Sequence, residues 1–125
     1  MRNYKQEPDG SFTLWVPKKI TQQDIDDIMS TAFEGGINYW CCKAEVLESH
    51  YYGEYASDQI SRGGSLRLYD AESDDTWVLT LDKLMTGIVK AIESRYVSSD
   101  NLDDWDALDA DAAVQCAVFG DLVFG

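Results

Sequence analysis

The chain has 125 residues and a formal net charge of -13, from 23 acidic and 10 basic side chains. Hydrophobic residues make up 45% of the sequence, which excludes a chain that stays disordered for want of apolar surface. The length fits one domain over residues 1–125 with a single core, and no apolar run is long enough to suggest a membrane span or a secretion signal. We therefore expect a cytoplasmic protein.

The first quarter of the chain predicts a loose start, a strand and a helix. Residues 1–10 are typical of a loose N-terminal lead-in, and residues 11–16 alternate as a strand that Pro17 ends. From Gln22 onward the apolar residues recur at the helical period, and Thr21 with Asp24 has the spacing of a capping box. Gly35 is predicted to end this helix with a positive φ.

The middle of the chain predicts three strands. Residues 37–47 alternate as a strand whose more apolar set, Asn38, Trp40, Cys42, Ala44 and Val46, is expected to face the helix. Residues 65–69 and 77–81 predict an antiparallel hairpin around an acidic turn at 70–76. Within it, the alternation is expected to place Leu66, Leu68, Val78 and Thr80 on one face.

Two helices are predicted in the remainder of the chain. The first covers about residues 82–94, with Thr80 as its cap and Gly87 as a tolerated weak point. The second covers residues 110–119 and ends at Gly120. The predicted fold class is therefore α+β: a small antiparallel sheet of about four strands with three helices around one core.

Metal and catalytic chemistry find little support in the sequence. Cys41, Cys42 and Cys116 are too few and too poorly spaced for a zinc site with His50 as the single histidine, and we expect them to be reduced packing residues. Residues 104–111 resemble a calcium loop only in their aspartates, because the sixth-position glycine and the twelfth-position glutamate are missing. No catalytic constellation is recognisable, so we predict a protein that is not an enzyme and needs no cofactor or metal.

The acidic C-terminal region gives the leading functional hypothesis. Beyond Arg95 the sequence has no lysine or arginine, but it is dense in carboxylates: Asp100, Asp103, Asp104, Asp106, Asp109 and Asp111. Carboxylates at such spacing resemble a run of phosphates, so they could occupy the basic surface of a nucleic-acid-binding protein, with Trp105 as a buried anchor. Direct binding of nucleic acid is disfavoured by the same charge. The alternative is that the acidity only keeps the protein soluble.

A second hypothesis places a small phosphorylated or nucleotide-like ligand in the loop at residues 51–64. Aromatic rings there could stack on a flat ligand, and an arginine beside two glycines could hold an anion. The residues concerned are Tyr51, Tyr52, Tyr55, Arg62, Gly63 and Gly64.

Several short stretches resemble an uncharacterised family of small proteins encoded by phages and prophages of bacteria. They are residues 31–41, 53–57, 63–64 with the hairpin that follows, 109–111 and 119–120. The resemblance implies only a context, that of small acidic phage proteins which counter host defences, as anti-CRISPR proteins do. The predicted function is thus an anti-defence protein that binds and blocks a basic, nucleic-acid-binding host protein in the bacterial cytoplasm.

Overall fold

The computed structural model describes residues 3–125, and in them five strands and three α-helices follow one another. Their bounds are β1 Tyr4–Gln6, β2 Phe12–Leu14, α1 Gln22–Thr31, β3 Cys41–Val46, β4 Ser65–Asp70, β5 Thr76–Thr80, α2 Leu81–Glu93 and α3 Ala107–Phe119. The α+β class is confirmed.

The strands form two antiparallel sheets, where the sequence predicted one of about four strands. One sheet has the order β3-β4-β5 and contains the predicted hairpin. The other pairs only β1 with β2, so part of the predicted loose lead-in forms a hairpin with residues 12–14. The first predicted strand therefore lies outside the main sheet.

Helix α1 begins and ends as predicted. The Thr21 hydroxyl accepts from the Asp24 amide at 3.1 Å, and the Asp24 carboxylate accepts from the Thr21 amide at 2.9 Å, which completes a capping box. A π turn at Ala32–Gly36 extends the helix, and Gly35 has φ 159° and ψ 3°, a conformation that residues with a Cβ rarely adopt. Gly35 thus reverses the chain toward β3.

Strand β3 is shorter than predicted and contains a bulge. Trp40 and Cys41 both donate their amides to Ile37 O, at 3.0 and 2.8 Å, so residues 37–40 form a turn rather than the start of the strand. The register against β4 then shifts between Cys41 and Lys43. A bulge reverses the alternation, so Cys41 is buried and Cys42 exposed, opposite to the prediction. Ala44 and Val46 contact the core as predicted.

The hairpin formed by β4 and β5 has a register that differs from the predicted one. Leu66 pairs with Leu79 and Leu68 with Trp77, so these four residues share the core face. Val78, predicted to lie on that face, pairs with Arg67 on the other. A slip of one residue moves every side chain of a strand to the opposite face, and alternation within one strand cannot set its register against another.

Helix α3 is the central element of the domain. It begins at Ala107, three residues before its predicted start, because Asp106 caps it: Asp106 Oδ1 accepts from the Asp109 amide at 3.1 Å. Every residue from Asp109 to Cys116 is buried, since α1, the π turn at Ala32–Gly36, α2 and β5 pack around the helix. Gly120 ends it with φ 80°.

Helices α2 and α3 come into close contact at Gly87. A Cβ atom on Gly87 would lie 2.4 Å from Ala113 O and 2.6 Å from Ala117 N. Gly87 is therefore not the tolerated weak point that the sequence suggested, since any larger residue would force the two helices apart.

A Gly87→Ala variant tests this contact by the sign of its effect. In an exposed helix the change would raise the unfolding free energy by about 1 kcal/mol. Here we expect a loss of about 1–3 kcal/mol by overpacking, measured by chemical denaturation. Val89→Ala, at an exposed position of the same helix, should change the stability by no more than about 0.5 kcal/mol. A Gly87→Ala protein as stable as the parent would contradict the close approach.

Candidate functional site

The acidic segment at residues 100–106 is an ordered connection between α2 and α3. A short 3-10 helix at Leu102–Asp104 is held by the Asn101 side chain, which accepts from the Asp103 amide at 3.1 Å. Trp105 packs against the core and donates its indole N–H to Ser99 O at 2.8 Å. Trp105 therefore packs within its own domain and holds the segment in place, whereas the sequence predicted that it would anchor a partner.

Asp109, one of the predicted partner-binding residues, is buried and used inside the protein. Its carboxylate accepts from the Ser98 amide and hydroxyl, both at 2.9 Å, and from the Asp106 amide at 3.0 Å. Burial opposes ionisation, but these hydrogen bonds outweigh it and hold the pKa of Asp109 below its usual value. The side chain closes the capping box of α3 and is not available to a partner.

Asp111 is also buried, and it joins α3 to the turn before β3. Its Oδ1 accepts from the Trp40 indole at 2.7 Å and from Gln115 Nε2 at 2.9 Å, and its Oδ2 accepts from the Tyr39 hydroxyl at 2.5 Å. Burial, together with the neighbouring Asp111, raises the pKa of Tyr39 to about 12. Asp111 is thus a structural acceptor and does not belong to an outer binding surface.

Gln115 extends this network to the C-terminal residues. Its Oε1 accepts from the amides of Val123 and Phe124 at 2.9 and 2.8 Å, and its Nε2 donates to Phe124 O at 3.1 Å. Sequence reasoning missed Tyr39 and Gln115, although Asp111 and Gln115 stand four residues apart on one helix. That spacing, which places two polar side chains on one face, was the available signal.

The remaining carboxylates of the segment are exposed, and two of them, Asp103 and Asp106, lie beside α1. Asp106 and Asp27 line a small cavity of about 30 Å³, and Asp103 and Asp24 line a neighbouring cleft of about 300 Å³, with Lys18 and Lys19 also lining that cleft. We call these side chains the acidic face: Asp24, Asp27, Asp100, Asp103, Asp104 and Asp106. The contribution of α1 could not be seen in the sequence, because Asp24 and Asp103 are far apart along the chain.

The carboxylates of the acidic face form no close ion pair within residues 3–125, although Lys18 and Lys19 line the same cleft as Asp24 and Asp103. Within residues 3–125 the ion pairs closer than 4 Å are Lys5 with Glu7 and Arg62 with Asp26, and neither involves the acidic face. The face therefore carries six carboxylates against two nearby lysines.

The groups predicted to hold an anion in the loop at 51–64 are engaged elsewhere. Arg62 Nη1 lies 3.3 Å from both oxygens of Asp26. The amides of Gly63 and Gly64 donate to Ile60 O and Gln59 O, at 3.0 and 2.9 Å. Tyr51, Tyr52 and Tyr55 are exposed, but Arg62 Nη1 and the Gly63 and Gly64 amides beside them already have partners within the protein.

The loop is instead ordered around a buried glutamine. Gln59 Nε2 donates to Glu48 Oε1 at 2.9 Å, and Gln59 Oε1 accepts from the Tyr52 amide at 2.8 Å. Hydrogen bonds from the Ser65 side chain and amide, and from Gln59, lower the pKa of Glu48 to about 2. These hydrogen bonds hold the loop in place and give it a structural role.

Other kinds of site find no support in the described part of the chain. Cys41 and Cys116 are buried, which raises the pKa of both thiols, and no disulfide links the three cysteines. Residues 3–125 bring together no group of three or more side chains suited to a metal ion. In the same range, every helix is too short or too polar to cross a membrane.

Comparisons with protein-family models, with curated proteins and with solved structures found no match to this chain.

Truncation of Asp111 tests its structural role. An Asp111→Ala variant would leave the buried Trp40 indole N–H without an acceptor, at about 1–3 kcal/mol, whereas Gln115 Nε2 would keep its bond to Phe124 O. We therefore expect the unfolding free energy to fall by about 1–3 kcal/mol in chemical denaturation. Asp103→Ala, at an exposed position, should have an effect below about 0.5 kcal/mol. Similar stabilities for the two variants would show that the buried network is dispensable.

Proposed function

We propose that the protein binds a partner with a basic, nucleic-acid-binding surface through the acidic face, and blocks that surface by occupying the place of phosphates. The observation that carries the proposal is the convergence of Asp24 and Asp27 of α1 with Asp103 and Asp106 of the connection before α3. Two separate parts of the chain thus supply negative charge to one face.

The distribution of roles among the aspartates supports the same conclusion. Asp109 and Asp111 serve the fold, whereas Asp100, Asp103 and Asp104 are exposed and have no ion pair within the described residues. Exposed like charges that are left unpaired stabilise a fold little, so stability does not explain why they accumulate here. Steering and holding a basic partner is a use that suits them.

The setting follows from the resemblance to phage proteins. An inhibitor that mimics nucleic acid needs neither a cofactor nor a reaction, and its target would be a bacterial protein that handles nucleic acid. Such a complex should weaken as salt rises, because the screening length falls from about 10 Å at 0.1 M to about 3 Å at 1 M.

A charge-neutralising variant tests the proposal without disturbing the helix caps. Asp100→Asn, Asp103→Asn and Asp104→Asn together remove three charges and leave the capping residue Asp106 intact. Each exposed ion pair contributes about 0.2–1 kcal/mol, so affinity for a partner captured from a bacterial extract should fall about 3- to 150-fold. Duplex DNA added in excess should release the partner from the parent protein.

The β4–β5 turn offers a matched control. Glu72→Gln, Asp74→Asn and Asp75→Asn remove the same charge from exposed positions in that turn and should leave the affinity close to that of the parent. If both triple variants bound equally well, or if duplex DNA failed to compete, the acidic face would not be the binding surface.

A further inference from the structure

A cleft of about 500 Å³ lies between the turn before β3, the turn that joins β4 to β5, and the C-terminal residues. Tyr39, Trp40 and Phe124 line it, together with Asp70 and Glu72. Small-molecule pockets have volumes of about 300–1,000 Å³, so the cleft is large enough for a ligand. None of these residues belongs to the acidic face.

The aromatic residues of the cleft are held in place by the buried network around Asp111. The Tyr39 hydroxyl donates to Asp111 and accepts from Gln115 Nε2 at 3.0 Å, so the polar end of this side chain is engaged inside the protein. The Phe124 ring stacks on the Trp40 ring at 5.6 Å, with 7° between the two planes. Tyr39 nevertheless remains 52% exposed. Rings that are fixed before a ligand arrives lose little conformational entropy when they bind it.

The β4–β5 turn supplies negative charge to the same cleft. Asp70 Oδ1 accepts from the amides of Glu72 and Ser73, at 2.7 and 3.0 Å, which fixes the Asp70 carboxylate, and Glu72 is exposed. Within residues 3–125 neither Asp70 nor Glu72 has an ion pair, and none of the lysines or arginines described there lines the cleft. Asp74 and Asp75 follow in the turn and add to its negative potential. The ligand that complements the cleft is therefore a cation.

The groups that line the cleft indicate which kind of cation fits. A bound calcium ion takes about six to eight oxygen ligands, whereas the described residues bring together no group of three or more side chains suited to a metal ion. Aromatic rings attract ammonium and guanidinium groups, and carboxylates accept strong hydrogen bonds from both. The volume of the cleft also leaves room for an apolar stem that carries the charged group.

We propose that this cleft binds a small organic cation, in which an ammonium or guanidinium group on a short apolar stem contacts the rings of Tyr39 and Phe124 and pairs with Asp70 and Glu72. The juxtaposition of fixed aromatic rings with carboxylates that lack an ion pair carries the proposal. The site is separate from the acidic face, so either function can fail without the other.

A titration followed by NMR tests the site. The probes are n-butylammonium and n-butylguanidinium, with n-butylurea as the neutral analogue, at an ionic strength held constant with sodium chloride. The indole N–H signal of Trp40, which lines the cleft, should shift to saturation with at least one of the two cations. The indole signal of Trp105, in the connection before α3, should not move. Absence of a saturable shift at Trp40, or equal binding of n-butylurea, would overturn the proposal.

Charge removal inside and outside the cleft separates this site from the general attraction of an acidic protein for cations. Asp70→Asn with Glu72→Gln removes two charges and keeps an oxygen at position 70 that can accept the hydrogen bonds of the turn. Since two exposed ion pairs are lost, the dissociation constant of the bound cation should rise about 2- to 30-fold. Asp100→Asn, Asp103→Asn and Asp104→Asn together remove three charges outside the cleft and should leave it unchanged. If both variants lost the same affinity, net charge and not the cleft would account for the binding.

Two substitutions of Tyr39 separate the ring from its hydroxyl. Tyr39→Leu removes the ring and should raise the dissociation constant of the cation about 2- to 5-fold. Tyr39→Phe keeps the ring, loses the hydrogen bond to Asp111 and should bind the cation like the parent; chemical denaturation checks that both variants are folded. A Tyr39→Leu protein that binds as tightly as the parent, or equal losses in the two variants, would refute the contact between the cation and the ring.

Discussion

The buried carboxylate of Asp111 holds the parts of the domain together. It accepts from the Trp40 indole, which in turn lies at the centre of an aromatic cluster: the Trp40 ring stacks on Phe124 at 5.6 Å and meets Phe119 at 5.3 Å and Trp77 at 5.8 Å. Hydrogen bonds of this kind contribute about 1–3 kcal/mol, and removal of the acceptor would leave the buried Trp40 indole unsatisfied. Asp111 thus connects α3 to the turn before β3 through Trp40, which also contacts Trp77 of the sheet. Through Gln115 it connects to the C-terminal residues.

This constraint divides the acidic C-terminal region into two populations. Asp109 and Asp111 point into the protein and accept hydrogen bonds from several donors, whereas Asp100, Asp103 and Asp104 remain exposed. The inner pair orders the helix and the connection before it. In the outer group, Asp103 is thereby held in one cleft with Asp24 of α1. The proposed binding surface therefore depends on the buried aspartates without including them.

Local patterns predicted much of the fold, and long-range pairing accounts for the differences. The capping box at Thr21, the Thr80 cap and the ends at Gly35 and Gly120 are set by neighbouring residues, so they could be predicted. The bulge at Cys41, the register of Leu66 with Leu79 and the need for Gly87 depend on partners distant in sequence. For the candidate site the same limit applies: the run of aspartates was visible, but their inward or outward direction was not. A capping position at Asp106 would have indicated that Asp109 turns back toward the helix start.

Carboxyl labelling of the native protein tests this division most directly. The protein would be treated with a water-soluble carbodiimide and an amine under native conditions, and the modified positions would be read by peptide mass spectrometry. Asp100, Asp103 and Asp104 should react readily, whereas Asp109 and Asp111 should react only after unfolding. Equal labelling of all five in the native protein would contradict the account, because the inner carboxylates would then be neither buried nor engaged.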